Sequence, residues 1–222
     1  MADPRTPRSF RDLTVGEFVD ELASSAPVPG GGSASAVAAS LGAALVAMVA
    51  SLSEARPKYA EHAALHARST EAGRRLAGRL LELADEDAEA YAEYSAAIKL
   101  PKETDAEQAV RKQAMSAAAR RAAEVPLVTV EACLELVASA ESLVGRSNVN
   151  ASSDLDVAAL LGEAAGRGAA ANVIVNLPSV GDESWAGETT AHVMRLLDDI
   201  EELAASVHQL VREGGTREPL SE

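Results

Sequence analysis

The 222-residue sequence carries a formal net charge of −14 and is 47% hydrophobic but only 3% aromatic. That length buries a full core without disulfide or metal staples, and a core built from Ala, Leu and Val favours close-packed helices over sheets. The charge opposes binding to nucleic acid or to an anionic membrane surface, and no aromatic-studded basic stripe offsets it.

Met1 to Phe10 contains Asp3, Arg5 and Arg8 and no apolar run, so no signal peptide is visible and a cytoplasmic location is expected. Thr14 followed by Glu17 is a capping-box pattern and predicts a helix from Val15 to about Ser24. Pro27-Val28-Pro29-Gly30-Gly31-Gly32 interrupts it, because proline fixes φ and removes donors while three glycines make order costly. Ser33 then caps the next helix. Ala34 to Leu52 carries no charge and has the length of a membrane span. Its Ala, Ser and Gly content, with Ser35, Ala39, Ala43 and Ala47 at every fourth position, reads instead as a buried central helix that a neighbour approaches closely.

Pro57 breaks the chain, and helical patterning resumes from about Lys58 to Lys99, with Gly73 and Gly78 as the places for an interruption. After Leu100-Pro101-Lys102, Thr104 and Glu107 repeat the capping box and open a helix to about Ala123. Pro126 suits the first turn of another helix, whose stripe Leu127, Val130, Leu134, Val137 and Val144 runs to Gly145. A polar segment from Arg146 to Ser152 leads to Ser153 or Asp154 as the cap of a helix that ends at about Leu177, before Pro178. Val193, Leu196, Leu197, Ile200, Leu203, Val207 and Leu210 define a C-terminal helix closed by Gly214-Gly215. No strand alternation and no repeat is found. The expectation is an all-α, up-and-down-like bundle of six to seven helices in a single domain, 1–222, with an ordered core over about 13–213.

Bundles build sites where polar residues interrupt apolar stripes. Leu76, Leu80, Leu83, Asp87, Tyr91, Tyr94 and Ile98 follow one helical face, so Asp87 stands where a core residue belongs. A carboxylate enclosed by Leu83, Tyr91 and Tyr94 loses hydration, which favours its protonated form and makes a general acid. The residues alone leave a second reading open, a buried Asp paired with an Arg or Lys from another helix. Asp85 points away from Asp87 on an ideal helix but can flank a site formed with a second helix. Asn172 and Asn176 stack with Gly168 at intervals of four, and buried amides either lock the bundle register or bind a polar ligand. Gly30, Gly31 and Gly32 ahead of a helix start can present N–H groups to an anion, although the Gly-Lys-Ser/Thr ending of a Walker A loop is missing. Asn148 and Asp154 add polar groups between two helices. Lys99 to Arg121 holds six basic residues against three acidic, a local excess able to dock an anionic small molecule or simply to form a solvated face. His62 and His66 have helical metal-ligand spacing without a third ligand, and the single Cys133 has no nucleophile context, so no metal site is expected.

In order along the chain, Pro29 to Ser33, Asp85-Glu86-Asp87-Ala88-Glu89-Ala90-Tyr91, Leu100-Pro101-Lys102, Val125-Pro126-Leu127, Asn148 with Ser153-Asp154, and Asn172-Val173 with Asn176-Leu177 resemble the cyclodeaminase domain of formiminotransferase-cyclodeaminase. Bacterial methenyltetrahydrofolate cyclohydrolases belong to the same family, and the resemblance spans roughly Leu13 to Leu210. Ser147 stands where the animal pattern has glycine. The resemblance implies an all-α homodimer that acts on a tetrahydrofolate one-carbon derivative without a metal or redox cofactor. It implies ring closure of formiminotetrahydrofolate with loss of ammonia, or interconversion of the methenyl and formyl forms. With no transferase domain in the sequence, a formimino substrate is expected from a separate protein. Under this resemblance Asp87 is the acid, assisted by Asp85. Lys102 holds the carboxylate end of the folate or stabilises developing charge, with Arg120 and Arg121 as further candidates. Gly30, Gly31, Gly32, Ser33, Asn148, Asp154, Asn172 and Asn176 shape the pterin site. A non-catalytic helical adaptor or dimerisation module, with Asp87 as an ion-pair partner, is the alternative of another class.

Overall fold

The computed structural model describes residues 9–54 and 56–220, so most of the charged start of the chain read above lies outside the described residues. Among the described residues there are six α-helices, three short 3₁₀ turns and no strand. They are α1 (Val15–Leu22), α2 (Gly31–Glu54), α3 (Ala63–Ile98), α4 (Asp105–Leu143), α5 (Ser152–Val180) and α6 (Glu183–Glu213). Both capping boxes form: Thr14 accepts from the Glu17 N–H and Thr104 from the Glu107 N–H, each glutamate reaching back to its cap.

Four boundaries differ from the sequence reading. The helices expected on either side of Pro126 are one, α4, with Pro126 inside it. A proline in a helix interior leaves the carbonyl four residues back without its donor, here that of Ala122. Asn176 on α5 supplies the replacement, donating from Nδ2 to Ala122 O at 2.9 Å. α5 likewise continues through Pro178 to Val180 and ends at Gly181, whose φ of 74° is the left-handed conformation suited to a glycine cap. α2 begins at Gly31, so two of the three glycines belong to its first turn, and α3 begins at Ala63 after a 3₁₀ turn over Pro57–His62.

α2 is long and apolar enough to cross a membrane, yet half of its most apolar stretch is buried against the other helices. Ala39, Ala43 and Ala47 are buried as their spacing predicts. Gly73 lets α3 lie on this strip: a Cβ there would come within 2.8 Å of the Ala43 carbonyl and 2.9 Å of Ala47. α3 runs unbroken past Gly73 and Gly78, and at Gly73 the missing side chain serves the helix crossing. One core of Ala, Val, Leu and Ile side chains from α2 to α6 joins the bundle. Gly31 faces Asn172 and Gly168 faces Ser35, whereas Ser53, at the other end of α2, bonds the Asn148 N–H just before α5. α2 and α5 are therefore antiparallel.

Candidate active site

Asp87 sits at the start of α2. It is half-buried on α3, and its carboxylate fills the space in front of Gly32, where any Cβ would overlap it. Ser33 Oγ lies 3.0 Å from Asp87 Oδ2, and the Ser33 backbone N–H also bonds the carboxyl group. The first N–H groups of a helix have no partner within it, so Asp87 acts as a cap contributed by a different helix. The anion facing the glycine turn thus belongs to the protein itself. Nothing in the spacing of the turn and Asp87 joins residues more than fifty apart, and in the sequence only the family resemblance set them in one site.

Burial raises the Asp87 pKa above the ordinary 3.8, and the two Ser33 hydrogen bonds oppose it without cancelling the effect. The α2 turn lies against the carboxylate, Tyr91 is exposed, and the Tyr94 hydroxyl donates to Ser179 on α5 at 3.2 Å. Among the described residues no cation partners Asp87, and its bonds go to Ser33 instead of an Arg or Lys from another helix. Ser33 itself is fully buried between Ala84 and Asp87, which removes it from contact with any substrate. Gly31 is exposed, and Asn172 Nδ2 would lie 3.7 Å from a Cβ on it, so the rim of the site is Gly30, Gly31 and Asn172. Asn172 donates one N–H to Gly168 O at 2.9 Å. Asn176 is spent on the backbone, its Nδ2 also donating to Asn172 O at 2.8 Å.

Asp85 is turned away from Asp87. It accepts from Ser9 Oγ at 2.5 Å and from the Phe10 N–H at 2.8 Å, tying the chain start to α3 and forming one wall of a groove of about 610 Å³ with Val28, Ala88 and Ala92. Lys102 is exposed in the loop after α3. It lines a groove of about 580 Å³ with Arg111, Lys112, Ser116, Ser179 and Gly181. At 1.5 Å per residue, the end of α3 lies about 16 Å beyond Asp87, with Tyr94 and Ser179 between them. Arg111 and Lys112 join Lys102 there, a pairing that the basic excess of the segment announced. Arg120 and Arg121 do not: Arg120 pairs with Glu124 and Asp182, and Arg121 with Glu89 and Glu93.

Asn148 and Asp154 stand at the far end of the bundle. Asn148 is buried, its N–H donates to Ser53 Oγ at 2.9 Å, and its side chain accepts from the Asn150 N–H. From Asp154 to Asn172 along α5 is about 27 Å, so one chain does not bring them together. His66 Nε2 contacts Arg146 O at 2.9 Å at the same end, and no group of three or more His, Cys, Asp or Glu able to hold a metal occurs among the described residues.

The family model for formiminotransferase-cyclodeaminase matches residues 14–195. A methenyltetrahydrofolate cyclohydrolase of Methylorubrum extorquens is 37% identical over 199 residues, 90% of this chain and 96% of that protein. A formimidoyltransferase-cyclodeaminase of Gallus gallus is 34% identical over 89% of this chain, which spans 36% of that longer protein. The crystal structure of a formiminotetrahydrofolate cyclodeaminase from Thermotoga maritima superposes with a TM-score of 0.83 at 27% identity, covering 91% of this chain and 98% of that one. Residues 14–195 carry both α2 with its glycine turn and the Asp87 helix, and the chain belongs to the formiminotransferase-cyclodeaminase family.

Proposed function

We propose that this chain is an enzyme of folate one-carbon metabolism, a formiminotetrahydrofolate cyclodeaminase that forms methenyltetrahydrofolate and ammonia. The observation that carries the reading is Asp87, a carboxyl group with a raised pKa, paired with no cation among the described residues, at the rim of a polar site. In the reaction one folate nitrogen attacks the one-carbon unit held on the other, and the amine leaves only after it gains a proton. Asp87 supplies that proton, a contribution of about 10²–10⁴ in rate. Proton transfer and ring closure need no metal or redox cofactor. Lys102, with Arg111 and Lys112, holds the carboxylate end of the folate, while Gly30, Gly31 and Asn172 meet the pterin. Asp85 serves by fixing the chain start.

The working unit is a homodimer. Leu41, Met48 and Leu52 on α2 and Val157, Leu160 and Val175 on α5 are exposed, and each set follows one helical stripe on neighbouring helices. A two-fold axis near Ala164 would set the α5 helices antiparallel and carry Asn148 and Asp154 of one chain toward Asp87 and Asn172 of the other. A cytoplasmic location suits the one cysteine, Cys133, which is buried with its thiol pKa pushed up to about 12.

Formation of the methenyl chromophore from formiminotetrahydrofolate is the direct assay. A folded Asp87→Asn protein should lose about 10²–10⁴ in rate, and turnover at the wild-type rate would sink the assignment. The second reading, methenyltetrahydrofolate cyclohydrolase, is favoured by the 37% identity to a cyclohydrolase that this chain covers almost end to end. It predicts the opposite signal, consumption of the methenyl chromophore in water.

A further inference from the structure

Ser33 Oγ lies 3.0 Å from two oxygens, Ala84 O and Asp87 Oδ2, and the side chain is fully buried. A hydroxyl has one hydrogen, so Ser33 can donate to only one of them at a time. It can accept from the other only if that oxygen carries a proton, which the Ala84 carbonyl never does and a neutral Asp87 does. Two fully bonded states follow. With Asp87 protonated on Oδ2, the carboxyl donates to Ser33 Oγ and Ser33 donates to Ala84 O. With Asp87 ionised, Ser33 turns its hydrogen to Oδ2, and Ala84 O keeps its bond within α3.

We propose that Ser33 is a positioning residue for the ring closure, a buried hydroxyl that swings between Ala84 O and Asp87 Oδ2 as Asp87 gives up and regains its proton. The role rests on the reading of Asp87 as the acid. The Oδ2–H turns from Ser33 Oγ to the leaving nitrogen, the electron pair of the broken O–H bond stays on the carboxylate, and Ser33 contributes a hydrogen bond but no proton. Among the described residues the neighbouring ionisable groups are engaged elsewhere. The first turn of α2 has neither acidic nor basic residues, and Asn172 and Asn176 on α5 are neutral. On α3, Asp85 is held by Ser9 and Phe10, Glu86 by Arg79, and Glu89 by Arg121 from α4.

The test is the pH dependence of kcat for Ser33→Ala and Ser33→Cys beside wild type and Asp87→Asn, with thermal melts confirming the fold. Hydrogen bonds to a charged group are worth more than those to a neutral one, so removing the hydroxyl penalises the ionised carboxylate more. The alkaline limb, where the acid loses its proton, should move up by about one pH unit in Ser33→Ala, with kcat down roughly tenfold. Ser33→Cys, with a weaker donor, should fall between wild type and Ser33→Ala. An inactive Asp87→Asn together with a Ser33→Ala limb at the wild-type pH, or shifted down, overturns the role of Ser33 and leaves that of Asp87. If Ser33→Ala does not fold, an unshifted limb in Ser33→Cys overturns it equally. Wild-type turnover by Asp87→Asn overturns both.

Discussion

Asp87 has a cost that can be read in stability. Its carboxyl group is raised above 3.8 by burial, so the folded chain holds its proton more tightly than the unfolded chain does. A group shifted in that direction contributes stability that is fully present below its unfolded value and is lost as pH rises through its folded value. Asp87→Asn keeps the shape and carries no titrating proton. Its melting temperature should match that of wild type below about pH 4, exceed it as the pH rises through the raised value of Asp87, and keep a constant lead above it. A wild-type protein that gains on the variant over the same range would mean that the Ser33 hydrogen bonds, and not burial, dominate. The sequence singled out Asp87 correctly as a polar residue on an apolar face. It did not anticipate the α2 turn, which lies against the Asp87 carboxylate, whereas Tyr91 on the same helical face is exposed.

At the scale of elements, α4 shows how a helix survives a proline. Ala122 O has no donor from residue 126, and the Asn176 amide fills the gap from α5. Asn176→Ala should therefore destabilise the chain by about 1–3 kcal/mol in urea unfolding. Pro126→Ala in the same chain restores an N–H for Ala122 O, so the double variant should recover much of the loss. Strict additivity of the two changes would remove this account. The same contact explains what sequence reading could see. Thr14, Thr104 and the strip Ala39, Ala43 and Ala47 were legible because each works within a few residues or by helical periodicity. The breaks expected at Pro126 and Pro178 did not occur. For Pro126 the compensating donor lies 54 residues beyond Ala122 along the chain, on another helix. Asn172 and Asn176 looked equivalent by spacing, and only the fold separates a rim amide from one tied to backbone carbonyls.

For the whole molecule, the residues read as one site lie at two ends of an antiparallel helix pair. Lys102 is offset along α3 from Asp87, whereas Asn148 and Asp154 are a bundle length away. The proposed two-fold pairing brings the latter back across the interface and gives a complementation test. An Asp87→Asn chain and an Asn148→Ala chain, each inactive alone, should regain roughly a quarter of wild-type activity after subunit exchange. Half of the dimers would then be mixed, each with one intact site of two. Leu160→Glu should yield a monomer by light scattering and prevent that recovery. Complementation without a dimer, or a dimer without complementation, contradicts the shared site.

The contact between Asp87 and the start of α2 has one more consequence. The 24 residues of α2 contain no ionisable group before Glu54, and their aligned peptide dipoles place about half a positive charge at the end that Asp87 faces. Desolvation favours the protonated form of Asp87. When the proton leaves, the new negative charge appears in front of that fixed field, which is already oriented to receive it. The helix that forms the central wall of the bundle is therefore also the counter-charge for its acid.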